Sequence, residues 1–190
     1  MQQIREYLEN IDTVSNVDWQ YFLSKLKQRQ FPKKQLIIQK GDVENYISFI
    51  ENGIVRFVIP NDDTEKEITF GFSFENEFVS AYDSFLTRQP SLFEVETLSE
   101  TVVWSLTYND LQDVYKKTEI GNAIGRFYAE KLFLIKSKRE QSLLNNSAEQ
   151  RYLNIFTERP NLLKEIPLKY IASYIGVTPQ ALSRIRARIS

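Results

Sequence analysis

The sequence predicts an α+β fold: an N-terminal β-roll or jelly roll, then one long helix, then a C-terminal pair of short helices. Three features predict it. Short β-prone runs separated by turn residues fill positions 31–107. A stretch with apolar residues on two sides at helical spacing covers Glu119–Leu144. The segment Leu168–Ile185 has the residue pattern of a helix-turn-helix.

Residues 1–29 read as helical, with Ile4, Tyr7, Leu8 and Ile11, then Phe22, Leu23 and Leu26, at helical spacing. Asp12-Thr13-Val14-Ser15-Asn16 supplies turn and cap residues between them, and Pro32 closes the region. Strands are predicted at Gln35–Gln39, Tyr46–Glu51, Ile54–Ile59, Lys66–Ser73, Glu94–Leu98 and Thr101–Leu106. The breaks are Lys40-Gly41-Asp42, Glu51-Asn52-Gly53, Pro60-Asn61-Asp62-Asp63 and Leu98-Ser99-Glu100, with Asn52-Gly53 the strongest hairpin signal. Glu75–Gln89 breaks the alternation and reads as a loop with a short helix.

Asn109 is placed to cap a short helix ending at Tyr115. On the long helix, Ile124, Tyr128, Leu132 and Ile135 make one apolar stripe, and Ile120, Phe127 and Leu134 another. Such a helix needs two partners: the β-domain, and the same helix of a second subunit, which is favoured over an ordinary buried helix. Gly121 and Gly125, four apart, would allow close approach. Ser147 and Gln150 form a capping box, and Pro160-Asn161 is expected to end the helix that follows. The expected organisation is a β-roll with N-terminal helices over residues 1–115, a dimerisation helix over 116–146 and a helix-turn-helix over 147–190.

Composition excludes whole classes of chemistry. Hydrophobic residues at 42% and charged residues at 26% suit a chain with a real core. There is no cysteine and no histidine. A disulfide framework, a thiolate zinc site, an iron–sulfur cluster, a Ser-His-Asp triad and an imidazole-ligated haem are therefore absent. A jelly-roll enzyme of cupin type would hold its metal through histidines, so no enzyme is expected. The N-terminus MQQIREYLENID lacks an apolar signal core, and no apolar run approaches the roughly 18 residues of a membrane span. A cytoplasmic protein without membrane contact is expected. From Arg151 onward there are seven basic residues against two acidic ones, a net +5, which leaves −6 for the rest. That distribution describes an acidic body carrying a basic binding module.

The C-terminal pattern is specific. Ile171, Ile175, Leu182 and Ile185 form the apolar core between two short helices, and Ala172 sits where they cross. Gly176 stands where the turn needs a positive φ, Val177 anchors it, Thr178 caps the second helix and Pro179 fills its first turn. The outward residues predict contact with duplex DNA. Gln180, Ser183 and Arg184 are placed to read base edges, since Gln pairs with adenine and Arg with guanine. Lys169, Thr178, Arg186 and Arg188 are placed to hold phosphates.

A β-domain, a long helix and this terminal motif together resemble the Crp/Fnr family of transcription regulators. The resemblance covers nearly the whole chain. Residues 31–107 look like the family's cyclic-nucleotide-binding β-roll, with Gly41 and Gly53 at its turns. Glu119–Leu144 look like its dimerisation helix, and Ala172, Gly176 and Thr178–Arg184 match its DNA-binding motif. The family's base-reading positions fall on Pro179, Gln180 and Arg184, and the proline cannot read a base by hydrogen bonding.

Two other departures stand out. The family's phosphate-binding cassette has a Gly-Glu pair and then an Arg. Here the pair is Asn76-Glu77, and the Arg position falls near Pro90-Ser91, with Arg88 close but off register. That loss argues against cyclic AMP as the ligand, so no cofactor is assigned and a cyclic nucleotide stays a possible but disfavoured one. The chain also stops at Ser190, so a wingless helix-turn-helix is expected. The resemblance implies a homodimer on double-stranded DNA, an unknown small-molecule effector and, for an activator, RNA polymerase as partner. The residues placed at the effector pocket are Glu77, Ser80, Tyr82, Arg88 and Ser91. The competing expectation is a nucleotide-binding-like module that contacts protein instead of DNA.

Overall fold

The computed structural model describes residues 1–60 and 67–189. The expected turn at Asn61-Asp62-Asp63 and the start of a strand at Lys66 lie outside these residues. Two compact units share the chain, one made of Met1–Ile59 and Phe72–Glu130, the other of Pro60–Gly71 and Lys131–Ser190. Among the described residues no helix is long and apolar enough to cross a membrane.

The first unit holds helices α1 (Gln2–Glu9) and α2 (Asn16–Lys25), then strands β1 (Lys27–Phe31), β2 (Leu36–Ile38), β3 (Tyr46–Asn52) and β4 (Val55–Ile59). The end of β5 (Ile68–Ser73), β6 (Phe78–Val79), helix α3 (Tyr82–Thr87), β7 (Glu94–Thr97), β8 (Thr101–Thr107), α4 (Tyr108–Lys117) and the start of α5 (Gly121–Asn145) complete it. The strands form two four-stranded sheets, ordered β1-β8-β3-β6 and β2-β7-β4-β5. The β1–β8, β3–β8 and β3–β6 pairs of the first sheet and the β2–β7 and β4–β7 pairs of the second are antiparallel.

Strand alternation explains the layering. Ile50 and Val103 point between the sheets, where they join Phe31, Ile38, Val55, Val79 and Val95 in one buried cluster. Ile47, Phe49 and Leu106 point the other way and are covered by Ile4, Leu8, Trp19 and Phe22 from α1 and α2, Phe85 from α3, Leu111 and Val114 from α4, and Ile124 from α5. The first sheet is thus buried on both faces, which is why β3 reads as a near-continuous apolar run. Asp18 ties two of the covering helices together: its buried carboxylate accepts from the Glu119 and Ile120 amides at the start of α5, at 3.1 and 3.3 Å.

Several local expectations change. The sequence predicts helix through residue 29, whereas α2 ends at Lys25 and Lys27–Phe31 form β1. That strand is almost all polar, so no period announces it; its pairing with β8, from Lys27 opposite Ser105 to Phe31 opposite Thr101, makes it a strand. Asn52-Gly53 does not close a hairpin. It carries the chain from β3 in one sheet to β4 in the other. Gly53 has φ +118°, and a Cβ there would meet the Thr101 side chain and lie 2.8 Å from the Glu100 carbonyl oxygen. The cap of α4 is Thr107, whose Oγ1 accepts from the Asp110 amide at 3.1 Å.

The β2–β3 loop is pinned to α3. Glu44 is 4% exposed, and its carboxylate accepts from the Tyr46 amide at 2.9 Å and the Ala81 amide at 3.4 Å. Its own amide donates to Ser84 Oγ at 3.0 Å. Burial pushes the Glu44 carboxyl above the usual carboxylate range, opposed by those amides and by the Arg29 charge.

The second unit contains the C-terminal part of α5, then α6 (Ala148–Glu158), α7 (Pro160–Glu165), α8 (Leu168–Tyr174) and α9 (Pro179–Ile189). Ser147 and Gln150 make the expected capping box on α6. Pro160 does not simply end that helix; it occupies the first turn of α7, where its missing N–H costs nothing.

Two tests follow from these contacts. Gly53→Ala should lower the unfolding free energy by about 1–3 kcal/mol or more, because it adds both a positive-φ penalty and a clash, and urea denaturation measures it. A raised folded-state pKa makes the contribution of Glu44 fully present below its unfolded value of about 4.3 and lost as pH rises through the folded value. Wild type should therefore lose melting temperature relative to Glu44→Gln on going from mild acid to neutrality; parallel pH curves for the two proteins would show that Glu44 does not titrate this way.

Candidate functional site

The basic end of the chain is built as a tight helical turn. Ile171, Ala172, Ile175, Leu182 and Ile185 are all buried, and α8 packs on α7 and α9. At the C-terminus of α8, the Gly176 amide donates to the Ser173 carbonyl at 3.0 Å and the Val177 amide to the Ala172 carbonyl at 2.9 Å. Gly176 has φ +77°. This pair of bonds around a left-handed residue is the Schellman arrangement, and it turns the chain directly into α9. Thr178 Oγ1 then accepts from the Ala181 amide at 3.2 Å, capping α9.

Two arginines that sequence spacing does not single out hold this turn from outside. Arg139, on α5, donates through Nη2 to the Tyr174 carbonyl at 2.8 Å and lies 4.1 Å from the centre of the Tyr174 ring. Burial lowers its pKa, opposed by Tyr174. Arg151, on α6, donates through Nε to the Ile175 carbonyl at 2.8 Å and through Nη1 to the Asn146 carbonyl at 2.6 Å. The last carbonyls of α8 thus receive charged donors where the helix dipole is negative. Ser173 adds a third tie within the same unit, accepting from the Thr69 amide at 2.8 Å and donating to the Glu67 carbonyl at 3.1 Å.

Opposite its buried face, α9 presents Gln180, Ser183, Arg184 and Ala187, all exposed and spaced i, i+3, i+4 and i+7. Among the described residues Gln180, Ser183 and Arg184 make no side-chain hydrogen bond or ion pair. An amide, a hydroxyl and a guanidinium therefore stand on one rigid face with their donors available. Thr178, Arg186, Arg188 and Lys169 are exposed as well. Arg188 pairs with Glu149 at 3.1 Å, and Lys169 Nζ lies 4.7 Å from the Tyr170 ring centre. The hydroxyl of Thr178 accepts the cap bond and keeps its own proton to donate.

The five residues expected at an effector pocket are each engaged within the fold, and Ser80, Arg88 and Ser91 all bond the loop between β2 and β3 or its end. Glu77 Oε2 accepts from the Phe74 amide at 3.1 Å, and Ser80 Oγ donates to the Tyr46 carbonyl at 2.9 Å. Tyr82 stacks on Phe85 and meets Tyr128 edge-on, with ring centres 6.1 and 5.3 Å apart; burial raises its pKa, opposed by a hydrogen bond with Tyr115. Ser91 is buried and donates to the Phe93 carbonyl at 2.7 Å. Arg88 closes α3 at φ 60°; its guanidinium bonds the carbonyls of Glu44 and Phe85 and reaches Asn45 Oδ1 at 2.6 Å, over the Tyr108 ring. Between the sheets, Phe57 and Phe93 meet with ring centres 6.2 Å apart. The residues present do not fit a cyclic phosphate: none of the cassette supplies a free guanidinium, and the nearest arginine is committed to the β2–β3 loop. No cluster of metal-ligating side chains exists among the described residues.

None of the five lines the small apolar void of about 20 Å³ between Phe22, Ile47, Phe78 and Tyr128. None lines the cleft of about 350 Å³ bounded by Arg29, Ile37, Ile38, Val43, Glu44 and Tyr46 either. Sequence periodicity had no means of finding that cleft, because Arg29 lies in the polar strand that reads as helix.

The family model of the cyclic nucleotide-binding domain matches residues 28–118. No curated protein sequence matches the chain. Among solved structures, the c-di-GMP-responsive global regulator CLP of Xanthomonas campestris superposes with a TM-score of 0.69 at 17% identity, covering 92% of this chain and 91% of that one. The catabolite activator protein of Thermus thermophilus gives 0.58 at 17% identity, over 94% and 85% of the two chains. A putative Crp/Fnr-family regulator of Eubacterium rectale gives 0.69 at 15% identity, over 93% and 83%. Residues 28–118 are thus similar to the cyclic nucleotide-binding domain, and the chain as a whole has the fold of these transcriptional regulators.

Proposed function

We propose that the chain is a homodimeric, sequence-specific DNA-binding transcription regulator whose roll domain answers to a ligand other than cyclic AMP. The observation that carries this is the exposed face of α9, where Gln180, Ser183 and Arg184 stand together on a helix fixed by the Gly176 turn and by Arg139 and Arg151. Rigid support is what converts exposed donors into base readers. Lys169, Thr178, Arg186 and Arg188 flank that face and serve the phosphates. The effector side is supported by the roll architecture, and the engagement of Arg88 argues against a cyclic phosphate.

Dimerisation is supported by α5. Ile124 is buried in the first unit, but Phe133, Leu134 and Ile135 remain 70%, 65% and 51% exposed in the single chain. These are large apolar groups on a 25-residue helix, and a second copy of α5 packed along the face of Phe127 and Leu134, seven positions apart, would cover part of them. Two copies of α9 related by a two-fold axis would then read half-sites about one DNA turn apart, a relation for which the catabolite activator is one of the standard examples. The alternative, a module that contacts protein without DNA, rests on the acidic composition, with pI near 5.7.

Selection of bound duplexes from a random pool should return a palindromic motif, and affinity for it should fall steeply with salt. Arg184→Ala should erase preference at one base of each half-site, about a 5- to 150-fold loss of discrimination. Arg188→Ala should weaken all duplexes alike and flatten the salt slope. If both variants keep wild-type selectivity and affinity, or if no duplex binds in a salt-dependent way, the protein-contact alternative stands. Leu134→Glu should shift the chain from dimer to monomer in sedimentation velocity; a dimer that survives it would place the subunit interface elsewhere.

A further inference from the structure

The cleft beside β1 is unlike the rest of the first unit. It measures about 350 Å³ and is lined by Arg29, Ile37, Ile38, Asp42, Val43, Glu44, Asn45 and Tyr46. That volume lies in the range of small-molecule sites. Its wall is mixed: aliphatic carbons from Ile37, Ile38 and Val43, an aromatic ring from Tyr46, and one cation.

The cation is held in an unusual way. The Arg29 guanidinium carbon lies 4.2 Å from the centre of the Tyr46 ring and 4.8 Å from that of Phe31. Two rings therefore fix its orientation without using its N–H donors. Nη1 is buried and has no hydrogen-bond partner. A buried charged donor without an acceptor is costly, and native structures tolerate one chiefly where a ligand or water completes it. The nearby carboxylate of Glu44 contributes charge but turns its two oxygens to the Tyr46 and Ala81 amides. The loop carrying the cleft is itself stapled to α3 through Arg88 and Ser84, so the wall is preformed.

We propose that this cleft binds a small organic monocarboxylate, with its carboxylate on the Arg29 guanidinium and its apolar chain against Ile37, Ile38 and Val43. A planar guanidinium matches a carboxylate in two parallel bonds. A phosphate dianion is disfavoured relative to a monocarboxylate, because its second charge would face Asp42 and Glu44 with only one cation present among the described residues of the wall, and the aliphatic wall has no donors for its extra oxygens. None of these residues belongs to α8 or α9, so the site stands whether or not the C-terminal helices read DNA.

The test uses hexanoate as probe on the full chain, with hexanol, hexylamine and inorganic phosphate as comparators. Titration calorimetry should show saturable hexanoate binding with a Kd on the order of 1 mM or tighter, as befits so small a ligand. The Arg29 Nε–H resonance should shift with the same saturation. The three comparators should bind at least tenfold more weakly. Arg29→Gln should abolish binding, and Val43→Trp, which adds bulk to the cleft wall while keeping the cation, should do the same. Because Val43 is half-buried, its variant decides the matter if Arg29→Gln fails to fold. Failure of hexanoate to saturate, equal binding of hexanol, tighter binding of phosphate, or hexanoate binding undiminished by Val43→Trp would each overturn the proposal.

Discussion

Burial of the β1-β8-β3-β6 sheet on both faces is the constraint from which the first unit follows. A strand such as β3 can be apolar on both sides only if something covers each side. Here the second sheet covers one face, and α1 through α5 cover the other. The covering helices come from both ends of the unit's sequence, so the N-terminal helices and the start of α5 are brought to the same layer. Asp18 records that meeting: a carboxylate from α2 supplies the cap for α5, about a hundred positions further along.

The C-terminal helices obey a different rule. Their turn was legible in sequence because its requirements are local: Gly176 for a positive φ, Thr178 and Pro179 for the start of a helix, and apolar residues at fixed intervals. The capping box at Ser147 and Gln150 was legible for the same reason. The long helix was legible from its two apolar stripes. Both stripes begin buried in the first unit, at Ile120 and Ile124, and end exposed in the single chain, at Leu134 and Ile135, and that exposed end is the surface the proposed dimer would use.

What was not legible depended on distant partners. Lys27–Phe31 has no apolar period and becomes a strand only because β8 offers it an edge. Asn52-Gly53 signals a tight turn, but a turn signal does not say whether the next strand returns to the same sheet. The Arg88 guanidinium looked available in sequence and is consumed by backbone carbonyls that fold against it. Arg29 could not be placed at all, since its meaning comes from Tyr46 and Phe31 on either side of it. The same division separates the proposed DNA-reading face, written in one short segment, from the proposed carboxylate site, assembled from three strands and a loop.

The grip of Arg139 and Arg151 on the end of α8 is aimed at main-chain oxygens. Carbonyls are the same under every side chain, so the helix that is held carries almost no record of being held, apart from the Tyr174 ring beneath Arg139. The information sits at two positions outside the motif, one on α5 and one on α6. A segment running from Leu168 to Ile189 is therefore not a portable part. Moved to another scaffold it would keep its turn and its outward face, but would leave behind the two charges that aim it.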